Sequence, residues 1–176
     1  MYNLTVSRKR QISPVHMSQE LEYLKGALDN ENNNAIYDET NASILEKKKK
    51  VLSQFDLSRK KTMTLMKQLK DYRYVEDLND LRTGAYLRWV YIGDAENDAE
   101  FFDDDNEDFH LNKGAVFCET KIQTEGLFIV CKTYTGRYFQ FPMNGDYLFF
   151  QKLSVQEQTI LNTIDAIVES GMDTAF

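Results

Sequence analysis

Two cysteines, two histidines and several runs of like charge are the residues of this 176-residue chain that have chemistry to offer. Cys118 and Cys131 fall in neighbouring stretches rich in β-branched and aromatic residues. A four-residue loop over 123–126 would set Ile122 opposite Leu127, and by continuation Cys118 opposite Cys131. Both thiols should then point inward as small hydrophobes, free in a reducing compartment. No histidine lies near them in sequence, so the spacing is not that of a zinc site. His16 and His110 are far apart, and neither stands beside a nucleophile motif such as G-x-S-x-G. The chain has no G-x-x-x-x-G-K-[ST] and no G-x-G-x-x-G, so no phosphate cradle is legible. These residues point to a non-enzymatic protein with no catalytic residues, no metal ligands and no cofactor.

The charges are unevenly spread. The net charge is −7. Residues 1–73 carry +5 and residues 74–176 carry −12. Such a split suggests two surfaces with different partners, or one half folding against the other. The acidic half is densest in a loop over 93–110, with Asp103, Asp104, Asp105, Glu107 and Asp108. It lacks the Gly and Glu positions of an EF-hand, so a self-repelling solvated loop is the reading. The basic half carries Lys47, Lys48, Lys49 and Lys50, then Arg59, Lys60 and Lys61, with Arg8, Lys9 and Arg10 near the start. These side chains could meet nucleic-acid phosphates. Four successive lysines fan around a helix, however, and the chain is acidic overall at pI 4.9. A solvated face, or one docking the acidic half, is therefore the first reading, with a nucleic-acid or chromatin-associated accessory protein as the alternative.

Elements that would position these residues follow from periodicity. Residues 1–17 read as a flexible basic arm. Ser18 can cap a helix through 29, with Leu21, Leu24 and Leu28 at helical spacing. The Asn-rich stretch 30–41 reads as a linker. Ser43 and Glu46 form an S-x-x-E capping box opening a helical segment over 43–72. That segment is either one long amphipathic helix or two helices meeting near Asp56, Leu57 and Ser58. The helical region so spans 18–78. From about 79 to 153 the period changes, with strands expected at 85–92, 115–122, 127–134, 137–141 and 147–152. Ser154 and Glu157 repeat the capping box for a C-terminal helix over 154–170, striped by Ile160, Leu161, Ile164, Ile167 and Val168, with Gly171 as its cap. The fold class is α+β: N-terminal helices, then a five-stranded SH3-like antiparallel barrel with a C-terminal helix, an OB-like barrel being second.

Both faces of these strands are apolar. Phe117, Phe128, Tyr134, Phe139 and Phe141 exceed what one small barrel interior holds; cover of the second face by the N-terminal or C-terminal helix is the first reading, and an uncovered remainder would be a protein-binding surface. No apolar run reaches a membrane span and residues 1–10 lack a signal-peptide core, so an intracellular location in cytoplasm or nucleus is expected. The stretch Leu81-Arg82-Thr83-Gly84-Ala85-Tyr86-Leu87-Arg88-Trp89, then Lys113-Gly114, Phe128-Ile129-Val130-Cys131-Lys132 and Tyr147-Leu148-Phe149-Phe150-Gln151-Lys152, resembles small β domains encoded by giant (nucleocytoplasmic large) DNA viruses. The resemblance covers roughly residues 78–160, and the high use of Asn, Lys and Tyr suits an AT-rich genome. It implies a minor virion component or accessory factor and brings no enzyme activity. The expectation is a structural or interaction protein that docks through the 43–72 helix and the aromatic β face, onto itself, capsid or other virion proteins.

Overall fold

The computed structural model describes residues 14–92, 109–143 and 147–171. The arm residues before 14, most of the acidic loop (93–108) and the Asn144-Gly145 turn lie outside the described residues. The chain runs α1 (Pro14–Leu28), a 3-10 turn (Glu31–Ile36), α2 (Asn41–Leu52), α3 (Arg59–Gln68), β1 (Tyr72–Tyr74), β2 (Tyr86–Tyr91), β3 (Ala115–Gln123), β4 (Gly126–Lys132), β5 (Tyr138–Pro142), β6 (Tyr147–Lys152) and α4 (Val155–Glu169).

The 43–72 segment resolves into two helices and a strand. Ser58 breaks it, its side chain accepting from the Lys61 N–H at 3.2 Å as the cap of α3. The expected Ser43–Glu46 box gives way to an earlier one. Thr40 Oγ1 accepts from the Ser43 N–H at 3.0 Å and Ser43 Oγ accepts from the Thr40 N–H at 2.8 Å, so α2 starts at Asn41. Glu46 instead pairs with Lys49 at 2.7 Å. The Ser154–Glu157 box holds as read, with Glu157 N–H donating to Ser154 Oγ at 3.1 Å, and Gly171 closes the helix at φ +69°.

Six strands, not five, form one antiparallel sheet in the order β1-β6-β2-β3-β4-β5. The additional strand is Tyr72-Arg73-Tyr74, read in sequence as helix end. Its alternation buries Arg73 and pairs Tyr74 with Phe150. Among the described residues no ladder joins β5 to β6 or β1. The sheet is nonetheless strongly curled. In a flat sheet β5 and β6 would stand four spacings apart, ~19 Å. Yet the Phe141 ring of β5 lies 5.6 Å from Phe149 of β6 and 5.0 Å from Trp89 of β2. The concave face packs a core of Leu87, Phe117, Ile129 and Cys131.

The β3–β4 hairpin keeps the expected register from Ile122–Leu127 to Glu119–Val130. A β-bulge then intervenes, and Cys131 pairs with Phe117 rather than Cys118. One extra residue on β3 shifts every later partner by one. Cys131 is fully buried and Cys118 only partly so. Burial, then the neighbouring Cys118, pushes the Cys131 thiol up from its ordinary 9.0 to about 12. The folded state therefore holds that proton more tightly than the unfolded state. Its stabilising contribution is complete below pH 9.0 and is lost as pH rises toward 12. A thiol reagent at neutral pH is expected to label Cys118 alone in the native protein, and both cysteines after unfolding. Peptide mapping by mass spectrometry reads this directly; native labelling of Cys131 would contradict the burial.

Two further cores flank the sheet. Val51 and Leu52 of α2, with Leu65 and Leu69 at the end of α3, pack on Val90, Leu148 and Phe150 of the convex face. Ala27, Ile36, Ile44, Ile160 and Leu161 form a separate helical core joining α1, α2 and α4.

Candidate interaction surface

The five aromatic residues expected to form one contact face are not brought together. Cross-strand partners share a face of a sheet. Phe117, Cys131 and Phe139 are aligned across β3, β4 and β5, and Phe141 stands beside Ile129, so Phe117, Phe139 and Phe141 point into the concave core. Phe117 and Phe141 are buried, and Phe139 is partly buried 5.9 Å from Trp89. Phe128 is half-buried and opposite Lys121, on the other face. Tyr134 is 98 % exposed in the β4–β5 turn. Register separates them: Phe128 faces away from the core that holds Phe117, Phe139 and Phe141, and Tyr134 falls in the turn beyond β4.

The basic residues disperse as well. Lys47 donates to Glu39 and, at 2.9 Å, to Glu76; both carboxylates raise its pKa. Lys48 is buried under the end of α3. Lys49 is tied to Glu46. Lys50, Arg59 and Lys60 are exposed and Lys61 is partly buried. A phosphate-binding surface needs these charges side by side and free. Two of the four successive lysines instead hold the helices to the rest of the chain. Among the described residues no group of three or more His, Cys, Asp or Glu could hold a metal ion.

A concavity lies elsewhere. It is a groove of about 650 Å³ between α1 and α4, floored by the 37–40 turn. Leu24 and Leu28 line one wall, and Ile160, Ile164, Ile167 and Val168 the other. Sequence spacing explains the walls. Leu21, Leu24 and Leu28 follow i, i+3, i+7, and Ile160, Ile164, Ile167 and Val168 follow i, i+4, i+7, i+8, each a stripe on one helical face. Only part of each stripe is spent on the helical core. Ile160 is buried, while Leu21, Leu28 and Val168 remain 61 %, 47 % and 55 % exposed.

The floor is fixed by polar contacts. Tyr37 donates its hydroxyl to Leu28 O, closing the C-terminus of α1 onto the turn. The Asn41 side chain donates to Asp165 at 2.9 Å and to Asn162 at 3.2 Å, tying the start of α2 to α4. Asn33, itself buried, donates to Ala27 O at 2.8 Å and to Gln156 at 3.2 Å. The groove is thus preformed, with both helices held in place from below. Each stripe is legible in the sequence; that they converge with apolar surface to spare depends on how α1 sits on α4, which no local pattern states.

No family model, no curated protein and no solved structure matches this chain. The groove and the charges around it must carry the functional argument alone. Among the described residues, no helix is long and apolar enough to cross a membrane.

Proposed function

We propose that this protein is a non-enzymatic interaction module whose docking site is the α1–α4 groove. The observation that carries the reading is the groove itself: about 650 Å³, preformed and walled by two apolar stripes. A concave, largely apolar, preorganised surface is what a recognition site requires, because little ordering cost remains at binding. The docking function expected of the 43–72 helix and aromatic face so moves to a different pair of helices. The nucleic-acid alternative has less support, since Lys47, Lys48 and Lys49 already have partners.

The scaffold we propose is an SH3-like barrel of β2 to β6 with β1 added at its edge. Its support is the strand order, in which β2 to β5 run as a meander and β6 returns to pair with β2, together with the ring contacts between β5 and β6. An intracellular location suits the two free thiols. Membership of a viral particle rests on the sequence resemblance alone.

The test uses Leu28→Gln combined with Val168→Gln, two exposed positions whose polarity the fold tolerates. The wild type should enhance the fluorescence of an apolar-surface dye, and the double variant should lose most of that enhancement with an unchanged far-UV circular dichroism spectrum. Equal enhancement in both would place the dye-binding surface elsewhere and end the proposal.

A further inference from the structure

We infer that the occupant of the groove is a cationic amphipathic helix from another protein, apolar at i, i+3 or i+4, and i+7, with Lys or Arg on its flanks. The inference rests on the groove being a docking site and adds what docks there. Geometry supplies the helix. Two helices side by side, each with a stripe at 3–4 spacing, leave a furrow into which a third helix packs ridge into groove at ~8–10 Å. Leu21 to Leu28 spans seven residues, ~10 Å or two turns of α1. A short helix with three or four anchors suffices.

Charge supplies the sign. From 18 to 40 the chain carries Glu20, Glu22, Asp29, Glu31, Asp38 and Glu39 against a single base, Lys25. From 153 to 171 it has acids and no Lys or Arg. Some of these carboxylates are occupied: Glu39 by Lys47, Asp165 by Asn41, and Glu157 by Arg82 and the Ser154 N–H. Asp38 lines the groove floor and remains exposed, while Glu22, Asp29, Glu31 and Glu169 are exposed elsewhere on its two helices and the turn that follows α1. An apolar furrow in a predominantly acidic surface raises the local concentration of oppositely charged ligands. The same pattern argues against a second copy of this chain, since two predominantly acidic surfaces would meet. It equally disfavours an anionic lipid surface.

Fluorescence anisotropy on the full chain tests this with three labelled peptides of about 14 residues, four helical turns. One has a leucine seam and lysine flanks. The second has the same seam with glutamate flanks. The third has the first one's composition with its seam scrambled. The seamed cationic peptide should bind tightest, about tenfold or more above either of the others at low salt. Its binding should weaken with added salt and with Asp38→Asn, and fall further in Leu28→Gln/Val168→Gln. If the two seamed peptides bind equally, and both are lost in the double variant, the groove reading stands and the cationic partner is wrong. If no peptide binds, or binding survives the double variant, the groove reading itself fails. Two further outcomes overturn the inference. One is a dimer in light scattering that the double variant dissolves, which gives the groove to a second copy. The other is peptide affinity that rises tenfold when Arg8, Lys9 and Arg10 become Glu, which gives it to the chain's own N-terminal segment.

Discussion

Gly114→Ala is expected to destabilise the protein by about 3–5 kcal/mol, the largest effect of any single-methyl addition at a described glycine. Two causes add. Gly114 has φ +98°, a backbone conformation an L side chain adopts only at a cost of about 1–3 kcal/mol. A Cβ there would also stand 2.6 Å from Tyr86 Cε1, 2.7 Å from Leu87 O and 2.9 Å from Arg88 Cγ. Tyr86 and Arg88 could swing aside, but Leu87 O belongs to the backbone of β2, which is paired to β6 on one side and β3 on the other. Relief would have to move a strand, so overpacking contributes a further ~1–3 kcal/mol. The short 111–114 segment is latched to β2 throughout: Asn112 N–H donates to Trp89 O at 2.9 Å, Arg88 Nε to Asn112 O at 2.8 Å, and the Tyr86 hydroxyl to Lys113 O at 3.1 Å. Gly84→Ala is the control. It also has a positive φ, +82°, but nothing lies within 4 Å of its Cβ, so only the backbone cost of about 1 kcal/mol should appear. Urea unfolding of both variants separates the two causes. Equal losses would mean that the close approach at Gly114 contributes nothing.

Gly114 also illustrates what the sequence does and does not disclose. The strand that Gly114 precedes is legible in sequence, while the contact that forbids a methyl group comes from β2, more than twenty residues earlier. The same division recurs along the chain. Elements set by local chemistry are readable: the Ser154–Glu157 box, the Gly171 cap and the tight hairpin pairing Ile122 with Leu127, while the break at Ser58 stands in sequence as one of two readings. Departures arise where a distant partner decides. Cys118 leaves its expected place opposite Cys131 because β3 bulges within a sheet that must curl, and strand alternation carries no mark of the extra residue. Tyr72-Arg73-Tyr74 is short and has one alternation only, too little to outweigh the helix before it until β6 offers its edge. The five aromatics read as too many for one interior, and register decides which go in: Phe139 and Phe141 pack against Trp89 and Phe149, while Phe128 faces away. The groove was half visible, as two stripes with more apolar residues than a single helix contact consumes. The excess of Glu and Asp over Lys25 around α1 was the further signal. It was hidden because charge was balanced over a whole half of the chain, where the lysines of α2 and α3 mask it.

Those lysines are the clearest case of a residue type whose role the fold reverses, and Lys48→Ala should cost about 2–3 kcal/mol. In sequence Lys48 is one of four solvated cations. In the structure it is 3 % exposed, and its Nζ donates to Leu69 O at 2.8 Å and Lys70 O at 3.3 Å, just past the last turn of α3. That is where a helix dipole favours a cation and where carbonyls lack intrahelical partners. Charge-assisted hydrogen bonds of this kind are worth about 1.5–3 kcal/mol. The two acceptors are not equal. Leu69 O, the buried one, also receives the Tyr72 N–H at 3.1 Å, whereas Lys70 is itself exposed. Lys48→Met, which keeps the stem and removes the charge, should therefore cost less than Lys48→Ala, about 1 kcal/mol, because it also relieves a desolvated ammonium. Burial lowers the Lys48 pKa below its ordinary 10.5, with Asp71 opposing the shift. The folded state thus binds this proton less tightly than the unfolded state. Lys48 alone should make stability rise with pH between its depressed folded pKa and 10.5, opposite in sign to Cys131. The difference between wild type and Lys48→Met isolates that contribution: across the alkaline range the wild type should gain on the variant as pH rises. A gap that stays constant with pH would mean that Lys48 titrates alike in both states, its hydrogen bonds to the two carbonyls offsetting the cost of burying the ammonium.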